Sequence, residues 1–102
     1  AFFILFALAN GDKHGYAIMR ETRDLSEGDF ELGPATLYTT IQRLLESGWI
    51  AEVKGPDSSD ARRRYYGLTK QGSDILDLEL KRMESMVRKS KALRLRGAEP
   101  VS

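Results

Sequence analysis

The chain opens on nine apolar residues, AFFILFALA, and Asn10-Gly11-Asp12 then breaks the run. Phe2 to Ala9 is predicted as a helix that is apolar nearly all round, and such a helix needs cover on more than one side. In so small a domain a second subunit can supply part of that cover, a first indication of a dimer. His14 to Leu25 is predicted as a second helix, with Ile18, Thr22 and Leu25 spaced for one inward face. Ser26 to Gly33 reads as a turn region in which Phe30 and Leu32 alternate with acids, as in a short extended piece. Gly33-Pro34 opens a third helix, because proline suits a first helical position, where its missing N–H would be unpaired anyway. Leu37, Ile41, Leu44 and Leu45 form the inward stripe of that helix, and Gly48 ends it as a C-cap glycine.

Two strand-like runs follow, Trp49 to Lys54 and Arg62 to Leu68, joined by turn residues from Gly55 to Ala61. Thr69 is placed to cap a long last helix running to about Leu95. Its positions Leu76, Leu80, Met83 and Val87 advance by alternating steps of four and three, a short coiled-coil-like seam. Gly97 and Pro100 mark a frayed tail. The predicted fold is mainly α with a small β-hairpin. Residues 1–68 form a winged helix-turn-helix, 69–96 a C-terminal dimerisation helix, and 97–102 a flexible tail. A single clear hairpin argues against a ferredoxin-like α+β fold.

Composition narrows the function classes. With 102 residues, 41% apolar and 30% charged, the chain suits one folded domain near the small end of the range. The absence of cysteine excludes a disulfide framework and a thiol-based metal site, and His14 is the only histidine. No metal or cofactor is expected. The apolar opening run is far shorter than the ~20 residues of a membrane helix. It also lacks the basic lead and cleavage pattern of a secretory signal. The expectation is a cytoplasmic protein, and without an initiator methionine its first helix is read as starting upstream of Ala1. Net charge is only +1, but residues 1–61 carry 5 Lys/Arg against 10 Asp/Glu, and residues 62–102 carry 11 against 5. That split, −5 against +6, points toward a polyanionic partner.

Candidate chemistry lies in two places. On a helical wheel the polar side of the third helix carries Ala35, Thr36, Thr39, Gln42 and Arg43, with Glu46 at its end. Small and hydrogen-bonding groups toward the N-terminal half suit a helix entering a major groove, where Gln pairs bidentately with adenine and Arg with guanine. Any amphipathic helix shows a polar face, so this face alone does not decide. The second place is Arg62-Arg63-Arg64, three cations on one arm of the hairpin, next to Tyr65-Tyr66. They are suited to a phosphate backbone or a minor groove, the competing role being protection of an edge strand. Tyr38 sits at the margin of the buried stripe, placed to pack as a half-buried aromatic, to direct its hydroxyl to phosphate, or to do both at once. One of Tyr65 and Tyr66 should join the core, and Trp49 belongs to core or interface. His14 reads as a local cap or packing residue. No nucleophile–base pair, phosphate-cradling glycine loop or metal spacing is found, so no enzyme is expected.

Three segments together resemble the PadR family of bacterial transcriptional regulators. They are His14-Gly15-Tyr16-Ala17-Ile18; Ala35-Thr36-Leu37-Tyr38 leading into Arg43-Leu44-Leu45-Glu46-Ser47-Gly48-Trp49-Ile50; and Arg62 to Tyr66 with Leu68-Thr69 and Gly72. Thr39 departs from the proline many members carry after the tyrosine, and Ala35 from a common glycine. The resemblance implies a winged-helix homodimer that binds a palindromic operator in double-stranded DNA and usually represses. It also implies a dimer contact made by the long last helix, partly against the first. Phe2, Phe3 and Phe6 would then join Leu76, Leu80, Met83 and Val87 in dimerisation. Some relatives respond to phenolic or planar aromatic compounds, in certain cases bound at the dimer interface, where Trp49 and the first-helix phenylalanines would lie. The alternative is a winged-helix module whose partner is protein, since fold alone does not fix function.

Overall fold

Among the described residues, four helices and three short strands follow in the order α1 (Phe2–Leu8), β1 (Lys13–His14), α2 (Gly15–Leu25), α3 (Pro34–Ser47), β2 (Ile50–Val53), β3 (Tyr65–Leu68) and α4 (Lys70–Leu95). This computed structural model describes residues 2–28, 32–55 and 64–95. Phe30, most of the loop between β2 and β3, Arg62, Arg63 and the tail from 97 onward lie outside the described residues. The architecture is a winged helix: three helices, a β-hairpin and a long C-terminal helix.

The sequence reading expected one hairpin, and the sheet has a third strand. β1 pairs antiparallel with β3, Lys13 opposite Tyr66 and His14 opposite Tyr65. On its other side β3 pairs antiparallel with β2, from Ile50 opposite Leu68 to Val53 opposite Tyr65. The order is therefore β1-β3-β2. A two-residue strand carries no alternation to read, and only its pairing to β3 defines it. Lys13 also closes α1, its Nζ donating to the Ala7 carbonyl at 2.6 Å and to Asn10 Oδ1 at 2.5 Å.

The helix boundaries follow local chemistry. His14 is extended (ψ 167°) and its Nδ1 accepts from the Ala17 amide at 3.2 Å, capping α2 with an imidazole where a hydroxyl or carboxylate is usual. At the end of α3, Gly48 turns left-handed at φ 76°. Its N–H donates to the Leu45 carbonyl and that of Trp49 to the Leu44 carbonyl, both at 3.1 Å, which is the paired closure of a Schellman motif.

The core joins Ile4, Leu5 and Leu8 of α1, Ile18 of α2, Leu37, Ile41 and Leu44 of α3, Ile50, Tyr66 and Leu76. Thr22 is fully buried as the inward spacing requires, its hydroxyl donating to the Met19 carbonyl at 2.9 Å. Leu25 is 37% exposed and leaves the inward face assigned to it. Leu45 is partly buried at the edge of the cluster. Of Tyr65 and Tyr66, the second enters the core.

The first half of α4 covers this core and the second does not. Leu76 is buried and Leu80 packs against the cluster. From Lys81 to Arg94 every residue except Ser85 is exposed, Met83, Met86, Val87 and Leu93 among them. Among the described residues, no helix is long and apolar enough to cross a membrane.

Candidate nucleic-acid interface

The Leu37, Ile41 and Leu44 stripe anchors α3 to the core and so fixes which side of the helix faces water. That outer side carries Ala35, Thr36, Tyr38, Thr39, Gln42 and Arg43, all exposed. Its first turn holds no acidic residue, and Gly33 provides no side-chain cap, so the helix begins with bare backbone N–H groups beside small side chains. Thr39 and Thr40 donate their hydroxyls back to the Ala35 and Thr36 carbonyls, at 3.0 and 2.8 Å. With its proton so committed, the exposed Thr39 hydroxyl keeps acceptor lone pairs, which suit a base amino group. Arg43 makes no ion pair, with Glu46 or any other acid, among the described residues.

Beside α3 runs a groove of about 440 Å³, walled by Tyr38, Gln42 and Leu45 of α3, His14, Gly15 and Tyr16 at the start of α2, and Arg64 and Tyr66 of the hairpin. Tyr38 is 61% exposed, which decides its position: its ring stands in the groove rather than in the core. The Tyr66 phenol is pushed above its ordinary pKa near 10, first by burial and then by the nearby Glu52 carboxylate. Through the physiological range it is therefore a neutral hydroxyl on the groove wall.

Arg64 is the one described member of the arginine run. Its Nε lies 3.9 Å from Glu52 Oε1, and the two side chains are 72% and 54% exposed. So loose and wet a pair holds the guanidinium weakly and leaves it able to take an anion. Arg62 and Arg63 lie outside the described residues; of the run, Arg64 is the member placed at the groove among the described residues.

The apolar residues assigned to dimerisation divide. Phe2, Phe3 and Phe6 are half-buried, with the Phe2 ring 5.9 Å from both Phe3 and Phe6. Leu76 is buried within this chain and Leu80 packs on its core, whereas Met83 and Val87 are 41% and 53% exposed.

Sequence reasoning assigned no role to Tyr16, an exposed aromatic on α2 and part of the groove wall. The signal was present, since Tyr16, Arg20 and Arg23 fall at i, i+4 and i+7 on the face opposite Ile18 and Thr22. Among the described residues no cluster of His, Asp or Glu is arranged to hold a metal.

Comparison with known proteins adds to this geometry. Residues 4–78 match the family described as transcriptional regulator PadR-like. An uncharacterized protein of Lysinibacillus sphaericus is 33% identical over 73 residues, covering 72% of this chain and 67% of that protein. The transcriptional regulator YqjI of Escherichia coli K12 is 26% identical over 89 residues, and the match spans 87% of this chain but only 41% of YqjI. Among solved structures, a PadR family transcription regulator from Clostridium difficile R20291 superposes with a TM-score of 0.72 at 24% identity, covering 95% of this chain and 96% of that one. Bacillus subtilis PadR in complex with operator DNA gives 0.67 at 22% identity, over 78% of this chain and 44% of that one. At these identities the two structures establish a common fold.

Proposed function

This chain belongs to the PadR-like family of transcriptional regulators, and from that premise we propose that it is a repressor that binds a palindromic DNA operator as a homodimer. The observation that carries the reading is the outer face of α3. A helix of small and hydrogen-bonding residues, free of acids in its first turn, stands beside a groove that Arg64 borders. Thr36, Thr39, Gln42 and Arg43 read base edges, with Ala35 allowing close approach, while Tyr38 and the Arg62-Arg63-Arg64 run hold phosphates. Residues 1–68 form the DNA-binding unit and 69–96 the dimerisation helix. Phe2, Phe3 and Phe6 contribute to the contact with the partner, together with the seam of Leu76, Leu80, Met83 and Val87. Two recognition helices about 34 Å apart then meet successive turns of the groove. The superposition with a relative solved on operator DNA supports this reading. A small aromatic effector at the dimer interface, near Trp49 and the α1 phenylalanines, would tune it, and the protein acts in the cytoplasm without enzymatic activity.

Selection of bound duplexes from a random library tests the proposal. The expected result is recovery of a palindrome, with Thr39 or Gln42 variants selecting an altered one. Replacing Arg62, Arg63 and Arg64 by Ala should weaken binding to all sequences alike and flatten its salt dependence. Recovery of no common sequence by the wild-type protein would overturn the reading.

A further inference from the structure

Arg64 directly precedes β3, and its side chain has little of its own to hold it at the groove. Among the described residues its one ion pair is the loose contact with Glu52. A long side chain so weakly held is aimed by its backbone, and the backbone of Arg64 runs straight into Tyr65. Tyr65 is half-buried and opens β3, opposite His14 of β1 on one side and Val53 of β2 on the other. At Tyr65, then, all three strands lie side by side.

Side chains alternate along a strand, so Tyr66 enters the core while Tyr65 stands on the other face of the sheet. There its ring meets two partners. The first is Gly55, two residues past the end of β2. A Cβ added to Gly55 would overlap the Tyr65 Cδ1 and Cε1 and stand 3.1 Å from its Cγ. The Gly55 backbone is not left-handed, so it is the ring, rather than φ, that requires glycine there. The second partner is the His14 imidazole, edge-on at 5.4 Å between ring centroids and 88° between planes. Such an edge-to-face pair is attractive beyond the area it buries. His14 is itself held, because its Nδ1 accepts the Ala17 amide in the first turn of α2.

We propose that Tyr65 is a positioning residue for Arg64: its ring, packed on Gly55 and on the His14 imidazole, ties the base of the hairpin to the start of α2 and so aims Arg64 at the groove beside α3. The inference rests on the duplex-binding reading above, in which Arg64 meets phosphate. Tyr65 itself touches no nucleic acid. It restrains Gly55 and Arg64 before binding, so the guanidinium needs less ordering when a phosphate arrives.

Affinity for the selected operator, measured over a salt series in single and double variants, tests this. Arg64→Gln should weaken binding about tenfold, the worth of one hydrogen bond to a charged group, and lower the slope of log K against log salt by about one. Tyr65→Ala should weaken binding about three- to tenfold alone but less than about twofold in the Arg64→Gln background, because the two residues act as one unit. Tyr65→Phe keeps the ring and should match the wild type. Gly55→Ala displaces the ring, so it should resemble Tyr65→Ala and add little when combined with it. Circular dichroism melting identifies the variants that fold, and Tyr65→Leu carries the same comparison if Tyr65→Ala does not. A residue that only stabilised the fold would cost the same affinity with or without Arg64. Equal losses in the two backgrounds, or wild-type affinity in a folded Tyr65→Ala, would overturn the positioning role. So would a Tyr65→Phe loss as large as that of Tyr65→Ala. The duplex-binding reading survives each of those results, whereas a wild-type protein that binds no duplex overturns both.

Discussion

Replacing Gly72 by Ala probes the joint on which the orientation of α4 depends. Gly72 is buried in the first turn of α4, where an added Cβ overlaps the Trp49 carbonyl oxygen and stands 2.7 Å from its carbon and 3.1 Å from the Trp49 Cα. Carbon atoms pack at about 3.5–4.0 Å, so backbone must separate from backbone by about 1 Å. No side-chain rotation relieves the overlap. The movement would strain two bonds across the same joint, the Thr69 N–H to the Trp49 carbonyl at 3.1 Å and the Thr69 hydroxyl to the Gly48 carbonyl at 2.5 Å. Overpacking costs about 1–3 kcal/mol and two weakened bonds about 1 kcal/mol each, offset by about 1 kcal/mol of helix propensity gained over glycine. The net expectation is a loss of about 2–4 kcal/mol, a large part of the ~5–15 kcal/mol that a small domain has. Urea denaturation followed by circular dichroism, at one fixed protein concentration, reads it as a lowered midpoint with little change in slope. Gly33→Ala is the control: nothing lies within 4 Å of its Cβ and its φ is −71°, so only its N-cap position is at stake. That change should stay within about 1 kcal/mol. A Gly72→Ala loss below about 1 kcal/mol, or one no greater than the control's, would refute the reasoning.

Thr69→Val removes the hydroxyl that receives the Gly72 amide at 3.0 Å and donates to Gly48, and should cost about 1–2 kcal/mol in the same urea assay. Because the folded Tyr66 phenol ionises above its ordinary value near 10, the unfolded chain loses that proton first. Stability should therefore fall as pH rises from about 10 toward the folded pKa, and Tyr66→Phe should flatten that part of a pH–stability curve. Met83→Asp with Val87→Asp places charges at positions exposed in the single chain, so helicity should persist while a dimer seen by sedimentation dissociates. Unchanged sedimentation of a dimeric wild type would remove this part of α4 from the interface.

What was legible in the sequence is what burial and capping write into it periodically. The Leu37, Ile41, Leu44 stripe, proline at the start of α3, Gly48 at its end and the Thr69 cap all appear as read, because each is a local choice with one structural consequence. His14 as a cap was readable for the same reason. Three features escaped. β1 is two residues long and is defined by a partner about fifty residues away, which no local pattern encodes. Leu25 has the right spacing for burial, but it ends α2 where the chain turns through Ser26 and the left-handed Glu27 (φ 55°), past the edge of the core. The exposed Tyr16, Arg20 and Arg23 stripe follows helical spacing too, but spacing alone does not show that Tyr16 walls the groove beside α3.

The seam on α4 was read as one feature, and it consists of two. Leu76 and Leu80 are satisfied by this chain's own core, while Met83 and Val87 extend past the last core contact. Charges placed at Leu80 would test the fold and a dimer at once, whereas charges at Met83 and Val87 separate them. The division also has a mechanical consequence. The α4 N-terminus is bonded to the residues that close α3, through Thr69 to Gly48 and Trp49. A partner gripping the outer half of α4 would therefore act on the end of the proposed recognition helix through a rigid helix and a backbone joint. In the proposed dimer, the crossing of two α4 helices would set the distance between the two α3 helices, and with it the half-site spacing. Gly72 matters for that reason: a variant that folds but shifts the joint should bind a half-site with near-normal contacts and lose affinity for the paired site.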